Sequence, residues 1–390
     1  MHMSPKHRTR AFVALGSLTF LMSNGAPAVA GSFAVQNLVS DGSVPAPVID
    51  PNLINPWGIS SSPNGPFWVA NNNSGTSTLY TTTGAIVPLV VGIPGPANPT
   101  GTVFNGTASD FKVTSGGKTG SSVFVFATEG GTIAGWAPSV NFTQAVQAFD
   151  GSTMGLGAVY KGLAIGNSGG ANFLYATDFR NGLIDQFNSS FNLVRSFTDP
   201  TVAAGYAPFG AQVFGSKLFV TYALQDAAKH DDVGGAGNGY VDIFNLDGTL
   251  SQRLVSLGGQ VNSPWGLALA PSSFGKLAND LLVGNFGDGT ISAFDPNSGI
   301  FAGKLSGSNG NPLVIQDLWG LINGNGGAGG TTDKIYFSAG LAGEAHGLFG
   351  SIAAVPEPLT WFEFLVGFGL MGALHRRNRR IAASGASFAK

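Results

Sequence analysis

A unit of about 50 residues recurs six times along this chain, and it limits the fold more than any other feature. The clearest copy is Leu281-Leu282-Val283-Gly284-Asn285-Phe286-Gly287-Asp288-Gly289-Thr290-Ile291-Ser292-Ala293-Phe294: strand, tight glycine turn, strand. Other copies begin at Phe67, Phe124, Phe173, Leu218 and Ile335. Short β-branched and aromatic runs bounded by Gly, Asn, Asp and Pro read as strands and turns. A further short element precedes each copy. These are Pro56-Trp57-Gly58-Ile59, Asp110-Phe111-Lys112-Val113, Tyr160-Lys161-Gly162-Leu163, Pro208-Phe209-Gly210-Ala211, Pro264-Trp265-Gly266-Leu267 and Leu318-Trp319-Gly320-Leu321, expected as innermost strands. One unit of three or four strands cannot bury both its faces; six around an axis can. The expected fold is therefore all-β, a six-bladed β-propeller spanning residues 31–354.

The last unit lacks an outer strand, and residues 33–39 are strand-like. They are expected to close the ring by pairing the two ends, which removes exposed strand edges. Residues 92–107 and 150–157 read as loops between blades, and 324–330 is a glycine run. Residues 225–238 interrupt the fourth unit where other copies have a short turn. Long insertions in a repeat map to one face and often carry function.

The two ends read as addresses. Residues 1–10 carry His, Lys and Arg, residues 11–22 are apolar, and Ala28-Val29-Ala30 is a small-residue site. That order is a secretory signal peptide over 1–30, cut after Ala30 by signal peptidase. Residues 355–380 hold Pro356-Glu357-Pro358, an apolar run over 359–374, and a basic cluster with Arg376, Arg377, Arg379 and Arg380; residues 381–390 follow as a cytoplasmic tail. This tripartite tail resembles the PEP-CTERM sorting signal of Gram-negative bacteria. The resemblance implies a transmembrane helix and an inner-membrane-anchored precursor. It further implies processing by exosortase and delivery to the outer surface or extracellular matrix. The run 173–187 resembles an NHL repeat. The body, 33–352, is similar to an exported bacterial family carrying the segments 229–232 and 237–244, for which no activity is established.

The chain has no cysteine, so no disulfide scaffold supports it. Charged residues make up 10% of 390, with a net charge of −2 and no basic stripe, which argues against nucleic acid as a partner.

Three groups are candidates for chemistry. Asp226, His230, Asp231 and Asp232 place an imidazole and carboxylates in one loop, ligands suited to a divalent cation such as Ca2+; the plain alternative is a solvated loop. Asn72, Glu129, Asp178 and Asn285, with Asp288 nearby, fall just after the second strands and could converge on the axis to hold a cation, or they could be turn residues. Lactone-hydrolysing propellers of the gluconolactonase type share this architecture. Trp57, Phe111, Phe209, Trp265 and Trp319 start the innermost strands, where they either stack on a sugar or pack between blades. No catalytic residue is assigned: the body has two histidines, His230 and His346, and nothing reads as a nucleophile elbow. The expected role is a binding or structural module of the cell surface or matrix, recognising polysaccharide or protein. The alternative is a metal-dependent hydrolase or lactonase acting at the channel.

Overall fold

The structure, a computed structural model, describes residues 31–95 and 98–356. Six antiparallel sheets form six blades. Their innermost strands are Pro56–Ser61, Pro99–Phe104, Tyr160–Ser168, Tyr206–Phe214, Pro264–Leu269 and Leu318–Asn323. Each innermost strand neighbours the next, and the last neighbours the first, so the ring is closed. The expected closure is observed: Ser32–Ser40 pairs antiparallel with Leu348–Val355 and supplies the outer strand of the sixth blade. Beyond it, Val48–Ile49 adds a short parallel strand.

Glycine explains how six blades crowd round one axis. A Cβ placed on Gly58 would stand 2.5 Å from Thr100 O, and on Gly101 2.3 Å from Leu163 N. On Gly162 it would stand 2.8 Å from Phe209 O, and on Gly210 2.1 Å from Trp265 O. On Gly266 it would stand 2.3 Å from Trp319 O, and on Gly320 2.6 Å from Trp57 O. Each blade thus rests a bare backbone on the next, and the sixth rests on the first. Where the second strand carries Thr177, its hydroxyl accepts from Gly162 N at 2.7 Å and donates to Phe209 O at 2.7 Å, tying blade 3 to blade 4. Ser338 uses its hydroxyl likewise, accepting from Gly320 N at 2.9 Å and donating to Trp57 O. Apolar side chains fill the spaces between blades in separate clusters.

The second blade corrects two expectations. Its innermost strand is Pro99–Phe104, inside the stretch read as a loop over 92–107. Residues Lys112–Ser115 instead pair with Lys118–Ser121 in a separate hairpin. Phe111 therefore does not line the axis. It is fully buried in the core between blades 2 and 3, at φ 51°, with Phe191 at 5.3 Å. The signal was masked because Pro99-Thr100-Gly101 lacks the aromatic that marks most other copies. The blade-4 insertion and the 3-10 turn Gly151–Met154 lie where loops were expected.

Residues 1–30 and 357–390 lie outside the described residues, and with them the expected signal peptide and its Ala28 and Ala30, the apolar run over 359–374 expected to span a membrane, Glu357, Pro358 and the four arginines. Pro356 is described and is exposed. Among the described residues no helix is long and apolar enough to cross a membrane.

Candidate functional site

The residue before each ring glycine occupies the axial layer: Trp57, Thr100, Lys161, Phe209, Trp265 and Trp319. All six are buried, with Trp265 the most exposed at 8%. The aromatics fill the axis. Trp57 and Trp319 stack at 3.5 Å, Phe286 stacks on Trp319 at 4.1 Å, and Trp265 meets both tryptophans edge-on.

Lys161 is the exception in that layer. A lysine exposed by only 1% must have its charge compensated. Its Nζ is held by Glu129, from the turn after the second strand of blade 2, and by Asp231 Oδ1 at 3.0 Å, from the blade-4 insertion. It also lies 5.0 Å from the centre of the Trp57 ring. Glu129 accepts from Asn72 Nδ2 at 3.0 Å, and Asn72 accepts in turn from Asn98 Nδ2 at 3.2 Å. His230 Nδ1 lies 2.9 Å from Asp231 Oδ1. Trp265 Nε1 donates to Lys161 O at 3.0 Å. All these groups share the face defined by the starts of the innermost strands. There, groups from blades 1, 2, 3 and 4 meet at the end of the axial layer, the axial mouth.

Two more carboxyls face the mouth. Burial pushes Glu344 up to about 7; the charges of Glu129, Asp231 and Asp232 push the same way and Lys161 opposes. The turn that carries it is strained, with Ala342, Gly343 and Glu344 all left-handed at φ 57°, 66° and 68°. That turn is held by Gly343 N donating to Asp317 Oδ2 at 2.9 Å and by Asn73 Nδ2 donating to Glu344 O at 2.8 Å. Burial also raises Asp232, to about 6, against the pull of Ser263 and Lys161. Burial would raise Asp231 too, but Lys161 and His230 more than reverse it and leave it below the usual carboxylate range.

Of the metal candidates, the structure brings Glu129, His230 and Asp231 together, with one ligand atom of each within 4.8 Å of the others. The Lys161 ammonium, however, bonds both of the carboxylates. It stands where a shared cation would sit, so this donor set fits Ca2+ poorly while Lys161 stays in place. Asp226 shapes the insertion instead, accepting from His230 N at 2.8 Å and Asp231 N at 3.3 Å. Asp178 closes its own turn, accepting from Asn181 Nδ2 at 2.6 Å and from Val159 N at 3.2 Å. Asn285 braces a hairpin through Thr290 Oγ1 and Ser292 Oγ, both at 3.1 Å. Asp288 caps that turn and lies 3.7 Å from Lys304. Asp288 and Lys304 line a cavity of about 210 Å³ together with residues 236–237 and 258–261, and none of the charged cluster lines it.

Lys161 and Glu344 are what sequence reasoning missed. The signal for Lys161 was present: a lone charge aligned with aromatics across the six units. Glu344 had none, since a four-residue helical turn at Leu341–Glu344 follows no repeat. The run Gly166-Asn167-Ser168-Gly169-Gly170 has Gly-x-Ser-x-Gly spacing, but it is a hairpin turn at the opposite face, with Ser168 paired to Ala171.

No family model matches the chain. An uncharacterized protein of Acanthamoeba polyphaga mimivirus is 34% identical over 334 residues, covering 82% of this chain and 80% of its own length. A second uncharacterized protein of that virus is 33% identical over 345 residues, covering 85% of this chain and 88% of its own. These relatives overturn the resemblance to exported bacterial PEP-CTERM proteins. Among solved structures, a virginiamycin B lyase from Staphylococcus aureus matches 83% of this chain and 100% of its own at 15% identity and a TM-score of 0.47. The soluble aldose sugar dehydrogenase from Escherichia coli, in apo form, matches 83% of this chain and 100% of its own at 13% identity and a TM-score of 0.48. At such scores neither carries an argument about this chain; the six-bladed fold rests on its own strand pairing.

Proposed function

This chain belongs to the family of those uncharacterized mimivirus proteins, and from that premise and the geometry of the axial mouth we propose that it is a binding module whose ligand enters there. One observation carries the reading: a buried lysine, held by two carboxylates from different blades, stands in a layer otherwise built from Thr, Phe and Trp. Burying such an ion pair costs stability compared with packing apolar residues of the same volume, so ring closure does not require it. Strongly perturbed carboxyls gathered at one mouth point the same way.

The proposed setting is outside the cell, with a surface polysaccharide or matrix component as partner. The order of basic, apolar and small residues over 1–30, that of a secretory leader, supports that setting. Sequencing the N-terminus of the secreted product tests it, with Gly31 as the expected first residue. The alternative, a metal-dependent hydrolase, requires Lys161 to leave Glu129 and Asp231. Binding is tested by calorimetry on the full chain against a panel of small polar compounds, comparing wild type with Asp231→Ala. Asp231 is 64% exposed, so the variant is expected to fold. Hits that weaken at least ten-fold support the reading. Hits indifferent to the substitution contradict it.

A further inference from the structure

The cavity of about 210 Å³ between blades 4 and 5 has walls of two kinds. One is nearly bare backbone, from the end of the blade-4 insertion and the link into blade 5. Gly237 N donates to Val261 O at 2.9 Å and Gly258 N to Gly237 O at 2.9 Å, which ties the insertion to the link. Ala236, Gly237, Gly258 and Gly259 bring one methyl group between them, so these walls have little to fill the space they enclose. A Cβ on Gly258 would meet nothing within 4 Å.

The other wall is charged and comes from blade 5. Asp288 Oδ1 accepts from Thr290 N at 3.0 Å and from Thr290 Oγ1 at 2.6 Å, which fixes the carboxylate. Lys304 Nζ donates to the same hydroxyl oxygen at 3.0 Å. The ammonium therefore stands 3.7 Å from Asp288 Oδ2, too far for a hydrogen bond. Among the described residues none donates to Oδ2, and Thr290 takes one of the three ammonium donors. A partly exposed pair at that separation contributes little to stability. Thr290 instead holds the two charges apart at the edge of a space.

We propose that this cavity binds a small zwitterion of the α-amino acid class, at a site separate from the axial mouth. The ligand ammonium meets Asp288 Oδ2 and its carboxylate meets Lys304 Nζ, each using capacity the protein leaves free. Among the described residues, Asp288 and Lys304 are the two charged ones that line the cavity, so the lining is neutral in sum. An anion there meets Asp288 and a cation meets Lys304; a molecule carrying both signs gains at both ends. The volume lies below the roughly 300–1,000 Å³ of sites for drug-sized ligands, which limits the ligand to a small molecule.

The test is calorimetry on the full chain with glycine, L-alanine and L-serine. Acetate, methylammonium and acetamide serve as probes with one charge or none. Each is repeated on Lys304→Gln, Asp288→Asn, Ala236→Trp and Asp231→Ala. Asn keeps an acceptor for the turn, and Lys304 and Asp288 are 24% and 34% exposed, so both variants are expected to fold. Ala236 is exposed, and Trp there blocks the cavity while both charges stay. The expected result is an amino acid bound at least ten-fold more tightly than the other three probes. That binding should weaken about ten-fold in each of the first three variants and stay unchanged in Asp231→Ala. Equal binding of acetate, methylammonium or acetamide overturns the ligand class, as does a loss confined to one of the two charge variants. Amino-acid binding that survives Ala236→Trp, or no binding by any probe, overturns the site. Loss in Asp231→Ala with Lys304→Gln unaffected would assign the ligand to the axial mouth and likewise overturns it.

Discussion

At the rim of blade 4, Arg253 reaches Asp199 and Asp242, both fully buried, and covers the Tyr240 ring at 4.6 Å. At the axis, Lys161 reaches Glu129 and Asp231 and lies against Trp57. The two clusters use the same components, a cation, two carboxylates and an aromatic ring, yet they are wired differently. The rim cluster is local. Asp242 lies on the third strand of blade 4 and Arg253 on its outer strand, while Asp199 sits in the link from blade 3, where it also accepts from Thr201 N at 2.8 Å. The carboxylates respond unequally. Burial raises Asp242 to about 7 despite Arg253, whereas the extra bonds from Thr201 help Arg253 hold Asp199 below its ordinary value. The axial cluster draws on turns of several blades and has two further carboxyls, Asp232 and Glu344, close enough to feel its charges. The rim cluster ties adjoining strands of one blade to the link before it; the axial cluster ties separate blades together at one face.

That contrast is breakable. Arg253→Met leaves two buried carboxylates without their cation and is expected to cost about 3–5 kcal/mol in denaturant unfolding. Ligand binding per folded molecule should be unchanged. If binding fails with the fold, the rim is part of the site after all.

Lys161→Met is expected to cost less, about 2 kcal/mol, because only Glu129 is then stranded in a largely buried position while Asp231 is solvated. Equal losses in the two variants would erase the distinction.

The pH response sharpens it further. Burial pushes Glu344 up to about 7 in the fold, against 4.5 for a free glutamate side chain, so between those values the folded state holds more proton than the unfolded one. Stability contributed by the neutral acid is complete below pH 4.5 and is lost as pH rises toward 7, on the order of 1–3 kcal/mol in all. Glu344→Gln should flatten the melting-temperature profile across that window. Asp242, whose raised value gives the same sign, should leave a residual slope. An unchanged profile would place Glu344 in solvent.

The smallest effect is expected at the ring closure. His346 Nδ1 lies 2.7 Å from Asp41 Oδ2, but the histidine side chain is 44% exposed. Asp41→Asn should therefore cost under about 1 kcal/mol near pH 6, as surface pairs do. A larger loss would make this pair, and not the antiparallel pairing of Ser32–Ser40 with Leu348–Val355, the main latch.

What was legible in the sequence follows the same division. Blade number, closure by the N-terminal strand and the blade-4 insertion come from local patterns, repeated apolar runs and turn residues, which short-range physics fixes. The second blade was misread because Thr100 stands where other blades show an aromatic or a lysine, and Phe111 imitates it eleven residues later. The site was half legible. Glu129, His230 and Asp231 stood among the candidates, but their convergence depends on ring closure, which brings residues 129, 161 and 231 together. Asp178 and Asp226 have the same chemistry and the same kind of position, and local turn bonds claim them. No sequence spacing separates those cases.

The most direct test of the account is Lys161→Met combined with Glu129→Gln, measured for both unfolding free energy and binding. The account predicts stability within about 1 kcal/mol of wild type or above it, since a buried pair replaced by neutral groups is not missed, together with binding weakened about a hundred-fold. Loss of several kcal/mol with binding intact in the folded fraction would show that the axial cluster is a brace like the one at the rim.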